Sequence, residues 1–263
     1  YSDLPKNAVE CMQSVGRNYP DCGYGGGFRK WMFSDDPKPY NSYGNGAAMR
    51  VSAAGFAANS IEEAKDIAKK ITEVTHNHPE GIKGAEATAV AIYMAKTGSS
   101  LLEIRDYIDK NYYPMNFTLD GIRATYKFNE TCQDTVPQAL MAFFESTDFE
   151  DAIRNAISIG GDSDTLAAIC GGVAEAYYGV PSEIRKHALT FLDKQLLKIL
   201  IAFENKYPPV MEKKVGDISV PVERKTERKV KGSERETMME EAFQAADDDT
   251  EAAELTKEET TSR

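Results

Sequence analysis

The run from Gly160 to Gly179 constrains the fold of this chain more than any other stretch. Two glycines and the segment Asp162-Ser163-Asp164-Thr165 lead into an apolar sequence. Within that sequence, apolar side chains recur at helical spacing at Leu166, Ile169, Cys170, Val173 and Tyr177. The spacing predicts a helix with one buried stripe that begins at or just after Asp164. Both carboxylates and the Thr165 hydroxyl can then converge in the glycine-led turn before it, residues 160–165, which we name the acidic turn.

Two interpretations of the acidic turn stay open on spacing alone. In the first it is a helix N-cap, because Asp and Ser accept free backbone N–H groups and acidic residues suit the positive end of the helix dipole. This interpretation leaves the paired glycines unexplained. In the second, Asp162, Asp164 and Thr165 bind Mg²⁺, Mn²⁺ or Ca²⁺, since these ions prefer carboxylate, hydroxyl and water oxygens.

Composition and charge limit the possible function classes. A chain of 263 residues with 41% hydrophobic residues can bury a large core, and we expect one main domain. The net charge of −11 argues against a nucleic acid or an anionic membrane surface as the main partner. The four cysteines show no Cys-x-x-Cys spacing, and neither a long apolar run nor a signal-peptide pattern is found. We therefore expect free thiols and a cytoplasmic protein, although a segment upstream of Tyr1 could carry a targeting signal.

Helical patterns cover most of the first 207 residues. Periodicity and end signals predict helices over about 6–17, 44–56, 60–75, 79–97, 100–112, 135–146, 148–159 and from 164, with further helices from 180 to about 207. Ser60 and Asp148 are expected N-caps, and Glu63 is expected to complete a capping box with Ser60. The pair His76 and His78 is expected to cap a helix C-terminus or to be a satisfied polar group. Strands and helices do not alternate, which indicates an all-α fold.

The segment from Asn18 to Tyr43 is predicted to be a long loop, because it contains four glycines as well as Pro37 and Pro39. Its aromatic residues are interpreted either as a wall for an aromatic base or as anchors that hold the loop down, and anchoring is favoured for most of them. They are Tyr24, Phe28, Trp31, Phe33, Tyr40 and Tyr43. The stretch 116–132 is mixed and receives no assignment.

The composition changes after Pro209. Residues 213–231 are locally basic, 234–259 are strongly acidic, and apolar residues are sparse. Such a segment cannot offset the entropy cost of ordering, so we expect a main domain over 1–210 and a charged flexible tail over 211–263. A short helix near 238–246 and a docking role for the tail are the alternatives.

Glycines also precede the helix expected after residue 44. Backbone N–H groups in the segment Gly44-Asn45-Gly46 could approach an anion such as a diphosphate, although the segment taken alone is an ordinary turn. Three segments together are more specific, namely residues 42–50 (Ser-Tyr-Gly-Asn-Gly-Ala-Ala-Met-Arg), Thr75-His76 with the helix that follows, and residues 160–179. In this order they resemble the ADP-ribosylglycohydrolase family, which includes the dinitrogenase reductase activating glycohydrolases. The resemblance covers about residues 5–207.

The resemblance implies a compact orthogonal bundle of helices and a hydrolase activity. The expected substrate is an ADP-ribosylated protein or a small-molecule ADP-ribose conjugate, whose glycosidic bond is cleaved with the help of two Mg²⁺ ions, or Mn²⁺ in their place. Asp162 and Asp164 are then the catalytic and metal-binding carboxylates, and Thr165 is a further metal ligand. The expected contacts to the substrate are Ser42, Tyr43, Gly44, Asn45, Gly46 and His76. Arg50 is expected to support the loop through a structural ion pair, and His78 has no assigned role.

One family feature has no convincing copy in this sequence. Family members carry an upstream Thr-Asp-Asp-Thr motif that completes the metal site. Asp35-Asp36 is set aside because Pro37 follows directly, and residues 247–250 are set aside because they lie in the polar tail. We expect a truncated chain, with the remaining carboxylates upstream of Tyr1 and impaired activity. An ADP-ribose-binding pseudoenzyme and a crystallin-like structural or interaction protein are the alternatives, and the leaving group stays open.

Overall fold

A computed structural model describes residues 3–210 of the chain, and every regular element within them is a helix. Apart from one isolated bridge between Gly44 and Thr131, the described residues form no β-structure. The all-α prediction is therefore confirmed. The α-helices are α1 Leu4–Gly16, α2 Gly26–Met32, α3 Gly46–Met49, α4 Ser52–Ala57, α5 Ile61–Thr72, α6 Pro79–Lys96, α7 Leu101–Asn111, α8 Leu119–Arg123, α9 Val136–Phe144, α10 Phe149–Ser158, α11 Ser163–Tyr178, α12 Ser182–Leu189 and α13 Lys194–Lys206, and a 3-10 helix covers Cys132–Asp134.

Helix α6 lies at the centre of the unit formed by residues 1–178. It is rich in alanine and is buried on most of its surface, and it packs against α3, α4, α5 and α11. Small side chains let these helices approach closely. At Gly55 in α4, an added Cβ would lie only 2.6 Å from the Ala89 carbonyl oxygen of α6. Helix α11, which begins in the acidic turn, completes the core by packing against α6, α9 and α10.

The predicted loop over residues 18–43 is wrong in one respect, because it contains helix α2. Glycine is tolerated at a helix start, and here Gly26 and Gly27 are the first two residues of α2. Trp31 and Met32 of α2 are buried, and Tyr24, Phe28 and Tyr40 pack against them. The anchoring interpretation is therefore confirmed for these aromatic residues, whereas Phe33 and Tyr43 are 48% and 45% exposed.

Two further expectations need correction. The helix predicted over 44–56 is divided into α3 and α4, because Arg50 and Val51 leave regular helical geometry between them. Of the two alternatives for His78, the cap at the end of α5 is wrong and the satisfied polar group is confirmed. Its Nδ1 accepts the backbone N–H of Glu80 at 3.1 Å and so caps the start of α6.

Other helix ends agree with the sequence signals. The Ser60 hydroxyl accepts the Glu63 N–H at 3.0 Å, and the Asp148 carboxylate accepts the Asp151 N–H at 2.8 Å, which confirms both N-caps. In the expected capping box, the Glu63 carboxylate would accept the backbone N–H of Ser60. It accepts the backbone N–H of Asn59, the residue before Ser60, at 2.7 Å.

Helices α12 and α13 belong to a second unit, Gly179–Arg263. Within it, Leu189 and Leu197 are buried together, and Arg185 forms an ion pair with the buried Glu204. The predicted tail over 211–263 and the set-aside acidic residues 247–250 lie outside the described residues. No helix in the described part of the chain combines the length and apolar character needed to cross a membrane.

Candidate active site

The acidic turn has a backbone that only glycine adopts easily at two consecutive positions. Gly160 and Gly161 both have φ of +71°, in the left-handed region, and α11 begins two residues later at Ser163. This reversal places the carboxyl groups of Asp162 and Asp164 close enough for each to shift the pKa of the other. Thr165 is buried in the first turn of α11. The paired glycines, which an N-cap alone would not require, therefore bring the two carboxyl groups together.

The two carboxyl groups differ in electrostatics. Burial raises the pKa of Asp162, and the neighbouring Asp164 raises it further, while a hydrogen bond from Asn45 opposes both effects. Interaction with the Asp162 carboxyl group lowers the pKa of Asp164. Two carboxyl groups in one turn repel each other when both are ionised, and a bound cation would relieve that repulsion.

The donor set of the turn suits a hard divalent ion. Asp162, Asp164 and Thr165 offer only oxygen atoms, which Mg²⁺ and Mn²⁺ prefer. Across residues 3–210 no group of three or more His, Cys, Asp or Glu side chains is arranged to hold a metal ion. The turn supplies two carboxylates and one hydroxyl, so further ligands would have to come from water, from substrate or from residues other than those described.

Asn45 joins the loop of residues 42–46, which we name the Gly44 loop, to the acidic turn. Its Nδ2 donates to Asp162 Oδ2 at 2.6 Å across 117 residues of sequence, and also lies 3.2 Å from Thr135 Oγ1. The side chain is buried, with 6% exposure. A residue that the sequence predicted only as a substrate contact therefore also positions a predicted metal ligand.

The segment 126–135, most of which lies in the stretch left unassigned by sequence, forms one side of the site. The Tyr126 ring packs directly against Gly161, where an added Cβ would lie 2.5 Å from Tyr126 Cε1. The Glu130 carbonyl accepts the Asn45 N–H at 2.7 Å, and the Cys132 N–H donates to the Tyr43 carbonyl at 2.9 Å.

Nothing local in this segment distinguishes Tyr126 or Thr135 from other polar loop residues. The polar run Asn129-Glu130-Thr131 ahead of α9 was the one available signal, and it indicates a loop without indicating what the loop contacts.

His76 lies against the Gly44 loop. A Cβ at Gly46 would lie 3.4 Å from His76 Nε2, and one at Gly44 would lie 3.6 Å from it. On the other side of the ring, Nδ1 is 2.8 Å from Thr75 Oγ1. Burial and, to a smaller extent, the charge of Arg50 lower the pKa of His76 to about 3, so the imidazole is neutral near pH 7.

The ion pair expected for Arg50 is wrong. Its guanidinium donates to Thr75 Oγ1, approaches His76 Nδ1 at 3.4 Å, and lies 5.4 Å from the centre of the Phe28 ring. Among the described residues it has no acidic partner within ion-pair distance. Burial lowers the pKa of Arg50 to about 10, which leaves it charged at neutral pH.

The remaining predicted residues lie around the same loop. Ser42 Oγ accepts the Gly44 N–H at 3.2 Å, and the half-exposed Tyr43 ring lies 5.1 Å from the His78 ring. Thr165 Oγ1 donates to Met49 Sδ at 3.6 Å. By contrast, the exposed carboxylate of Asp36 pairs with Lys38 at 2.7 Å.

Comparison with known proteins adds independent evidence. The chain is 27% identical to ADP-ribosylhydrolase ARH3 of Homo sapiens over 222 residues, covering 61% of each chain. It is 27% identical to an ADP-ribosylarginine hydrolase of Pseudomonas putida over 157 residues, covering 57% of this chain and 42% of the relative. The chain therefore spans less than two thirds of the length of these relatives.

A solved structure and a family profile agree with these relatives. The structure titled "ADP-ribosylglycohydrolase-related protein complex" superimposes with a TM-score of 0.52 at 23% identity, covering 69% of each chain, and supports the fold. The profile of the ADP-ribosylglycohydrolase family matches residues 8–207, which is most of the chain. This chain therefore belongs to the ADP-ribosylglycohydrolase family.

Proposed function

We propose that this chain carries the substrate-binding part and half of the metal-binding part of a hydrolase. The hydrolase cleaves the glycosidic bond between ADP-ribose and a protein side chain or a small molecule. The observation that carries the proposal is the 2.6 Å hydrogen bond from Asn45 to Asp162. This hydrogen bond connects two features in one site. The first is a glycine-rich loop that suits a diphosphate, and the second is a carboxylate pair that suits a cation.

The Gly44 loop is the proposed ADP-ribose contact. The N–H groups of Gly44 and Asn45 donate to Ser42 Oγ and to the Glu130 carbonyl, so the proposed anion donor is the N–H of Gly46 at the start of α3. Ser42 and Tyr43 belong to this loop and His76 packs against it, and the exposed face of the Tyr43 ring offers an apolar surface for an aromatic base. These contacts would hold the ligand so that the scissile bond lies near Asp162.

The proposed cofactor is Mg²⁺, with Mn²⁺ as the alternative, held by Asp162, Asp164 and Thr165. A bound divalent ion supplies charge that orients ribose hydroxyls and activates a water. Cleavage of a glycosidic bond develops positive charge at the anomeric carbon, which a nearby carboxylate stabilises. Asp162 and Asp164 are therefore the proposed catalytic carboxylates. Two ions would need more negative charge than this pair provides, so the complete site needs further carboxylates.

The partner class follows from the relatives. The human and bacterial proteins are named as an ADP-ribosylhydrolase and an ADP-ribosylarginine hydrolase. We infer an ADP-ribosylated protein or an ADP-ribose conjugate as substrate, without choosing among arginine, serine and other leaving groups. The cytoplasm is the proposed compartment, and the four unpaired cysteines support it.

Calorimetric titration of ADP-ribose tests the proposal. We expect Mg²⁺-dependent binding that Asp162→Ala/Asp164→Ala loses. The matched control is Asp35→Ala/Asp36→Ala, which removes an exposed acidic pair that is not among the proposed site residues and should leave binding unchanged. Release of ADP-ribose from arginine-linked and serine-linked peptides would then identify the leaving group.

Two other results would change the conclusion. Binding that ignores both Mg²⁺ and the double substitution would support the ADP-ribose-binding pseudoenzyme. Folded protein that does not bind ADP-ribose at all would contradict the proposed function for this chain.

A further inference from the structure

Arg50 contacts His76 on the side of the ring that faces away from the Gly44 loop. Its Nη2 donates to Thr75 Oγ1 and lies 3.4 Å from His76 Nδ1. The Phe28 ring lies on one face of the guanidinium, at 5.4 Å, and the Tyr40 ring lies 5.8 Å from the His76 ring. With no carboxylate partner in the described part of the chain, the guanidinium is oriented by neutral groups, and His76 is one of them.

These contacts restrict where the imidazole proton can lie. A guanidinium donates hydrogen bonds and accepts none, so the atom facing it must be an acceptor. If Nδ1 carried the proton, two donors would face each other at 3.4 Å. The Thr75 hydroxyl fits either tautomer, because it can donate to Nδ1 at 2.8 Å, or accept from Nδ1–H and donate to the Thr72 carbonyl at 3.2 Å, so the choice depends on Arg50. The geometry therefore favours a proton on Nε2.

The Nε2 side of the ring faces the proposed ligand site. A Cβ at Gly44 or Gly46 would lie 3.6 Å or 3.4 Å from this nitrogen, in van der Waals contact, so glycine at both positions leaves the space beside Nε2 open. Among residues 3–210, Nε2 has no hydrogen-bond partner, although His76 is only 5% exposed. A protonated Nε2 is then a free donor directed at the loop that would hold the ligand.

We propose that Arg50 is a positioning residue that fixes His76 as the Nε2–H tautomer. His76 then donates a hydrogen bond to an oxygen of the bound ligand, a ribose hydroxyl or a phosphate oxygen. The identity of the ligand rests on the proposed function, but the tautomer does not. Arg50 acts through His76 and through Thr75, and it has no direct contact with substrate in this role.

NMR of the full chain labelled with ¹⁵N-histidine tests the proposal directly. The chain has three histidines, so His76→Gln assigns the signals of His76. We expect long-range ¹H–¹⁵N correlations of the Nε2–H pattern in the unsubstituted protein, unchanged between pH 5 and pH 8. Observation of Nδ1–H in the unsubstituted protein would overturn the proposal without any further variant.

Substitution of Arg50 then tests whether this residue sets the tautomer. Arg50→Met keeps length and removes both donor and charge, so we expect mixed tautomers, titration of His76 at higher pH and about tenfold weaker ADP-ribose binding. Arg50→Lys keeps a donor and should restore most of the Nε2–H signal. The control is Arg105→Met, because Arg105 is also half-buried and donates to the Met115 carbonyl at 2.7 Å in another part of the unit.

The outcomes separate this inference from the proposed function. An Nε2–H pattern that stays unchanged in folded Arg50→Met would overturn the positioning role, even if binding weakened. An Nε2–H pattern that Arg50→Met disturbs, in a protein that does not bind ADP-ribose, would support the inference and contradict the proposed function.

Discussion

Asn45 is the residue on which the site depends most. Its amide donates to Asp162 at 2.6 Å. Burial and Asp164 disfavour the ionised form of Asp162, and this hydrogen bond partly offsets that effect. The same residue is at the N-cap position of α3, but its side chain makes no capping hydrogen bond. Its buried amide therefore connects distant segments and does not stabilise a local helix end.

We predict that Asn45→Ala lowers the free energy of unfolding by about 2 kcal/mol, because a hydrogen bond to a charged group is lost and Asp162 keeps its burial. Urea unfolding measures the change. The control Asn111→Ala removes a 2.8 Å hydrogen bond to the Tyr107 carbonyl on an exposed helix face and should cost less than about 0.5 kcal/mol. Equal losses in the two variants would contradict a special role for Asn45.

His76 makes stability depend on pH. The unfolded chain protonates this residue near the usual pKa of 6.5, whereas burial keeps the folded form neutral down to about pH 3. Between these values the unfolded state binds more protons, so stability falls as the pH falls. The contribution of His76 to the free energy of unfolding should be about 2 kcal/mol lower at pH 5 than at pH 8.

Urea unfolding at several pH values tests this expectation. The decrease between pH 7 and pH 5 should be smaller in His76→Gln, because glutamine does not titrate. If both proteins lose the same stability over that interval, His76 is not the group responsible. His187→Gln, at an exposed position of α12, is the matched control and should keep the full decrease.

At the scale of elements, the entry into α11 shows how backbone geometry builds the site. Gly160 and Gly161 share a φ of +71°, but they differ in surroundings. A Cβ at Gly160 meets nothing within 4 Å, whereas one at Gly161 would lie 2.5 Å from Tyr126 Cε1. A substitution at Gly160 therefore tests backbone strain alone, whereas one at Gly161 tests backbone strain together with packing.

We predict that Gly160→Ala costs about 1–2 kcal/mol, the usual penalty for a left-handed residue with a Cβ. Gly161→Ala should cost clearly more, since the ring of Tyr126 must also move. Thermal unfolding of both variants measures the difference. In a Tyr126→Ala background the two alanine substitutions should become equally costly, and a persistent difference would show that Tyr126 is not the cause.

At the scale of the whole molecule, a cation in the acidic turn would couple metal binding to stability. A ligand that binds only the folded state raises the free energy of unfolding by about 1.4 kcal/mol for each tenfold increase in concentration above its Kd. We predict this response to Mg²⁺ in urea unfolding, and its loss in Asp162→Ala/Asp164→Ala. A response that also disappears in the control Asp35→Ala/Asp36→Ala would mean that Mg²⁺ acts on surface charge in general.

Much of the architecture is encoded in short windows of sequence. The stripe along α11, the Ser60 and Asp148 caps and the end of α10 ahead of Gly160 all depend on residues within one or two helical turns, and local patterns predicted them. The two errors in helix position are α2 within a predicted loop and the break between α3 and α4. In α2 the burial of Trp31 and Met32 stabilises a helix that begins within a glycine run.

The sequence by itself determined the class of fold, the acidic turn and the Gly44 loop, because each depends on spacing within a few residues. Only the tertiary structure decided that Asn45 holds Asp162, that Tyr126 packs on Gly161 and that Arg50 contacts His76. The Asn45–Asp162 contact spans 117 residues, and the packing of α3, α6 and α11 brings its two ends together. Such contacts depend on the shape of the whole core, and no local pattern in the chain specifies them.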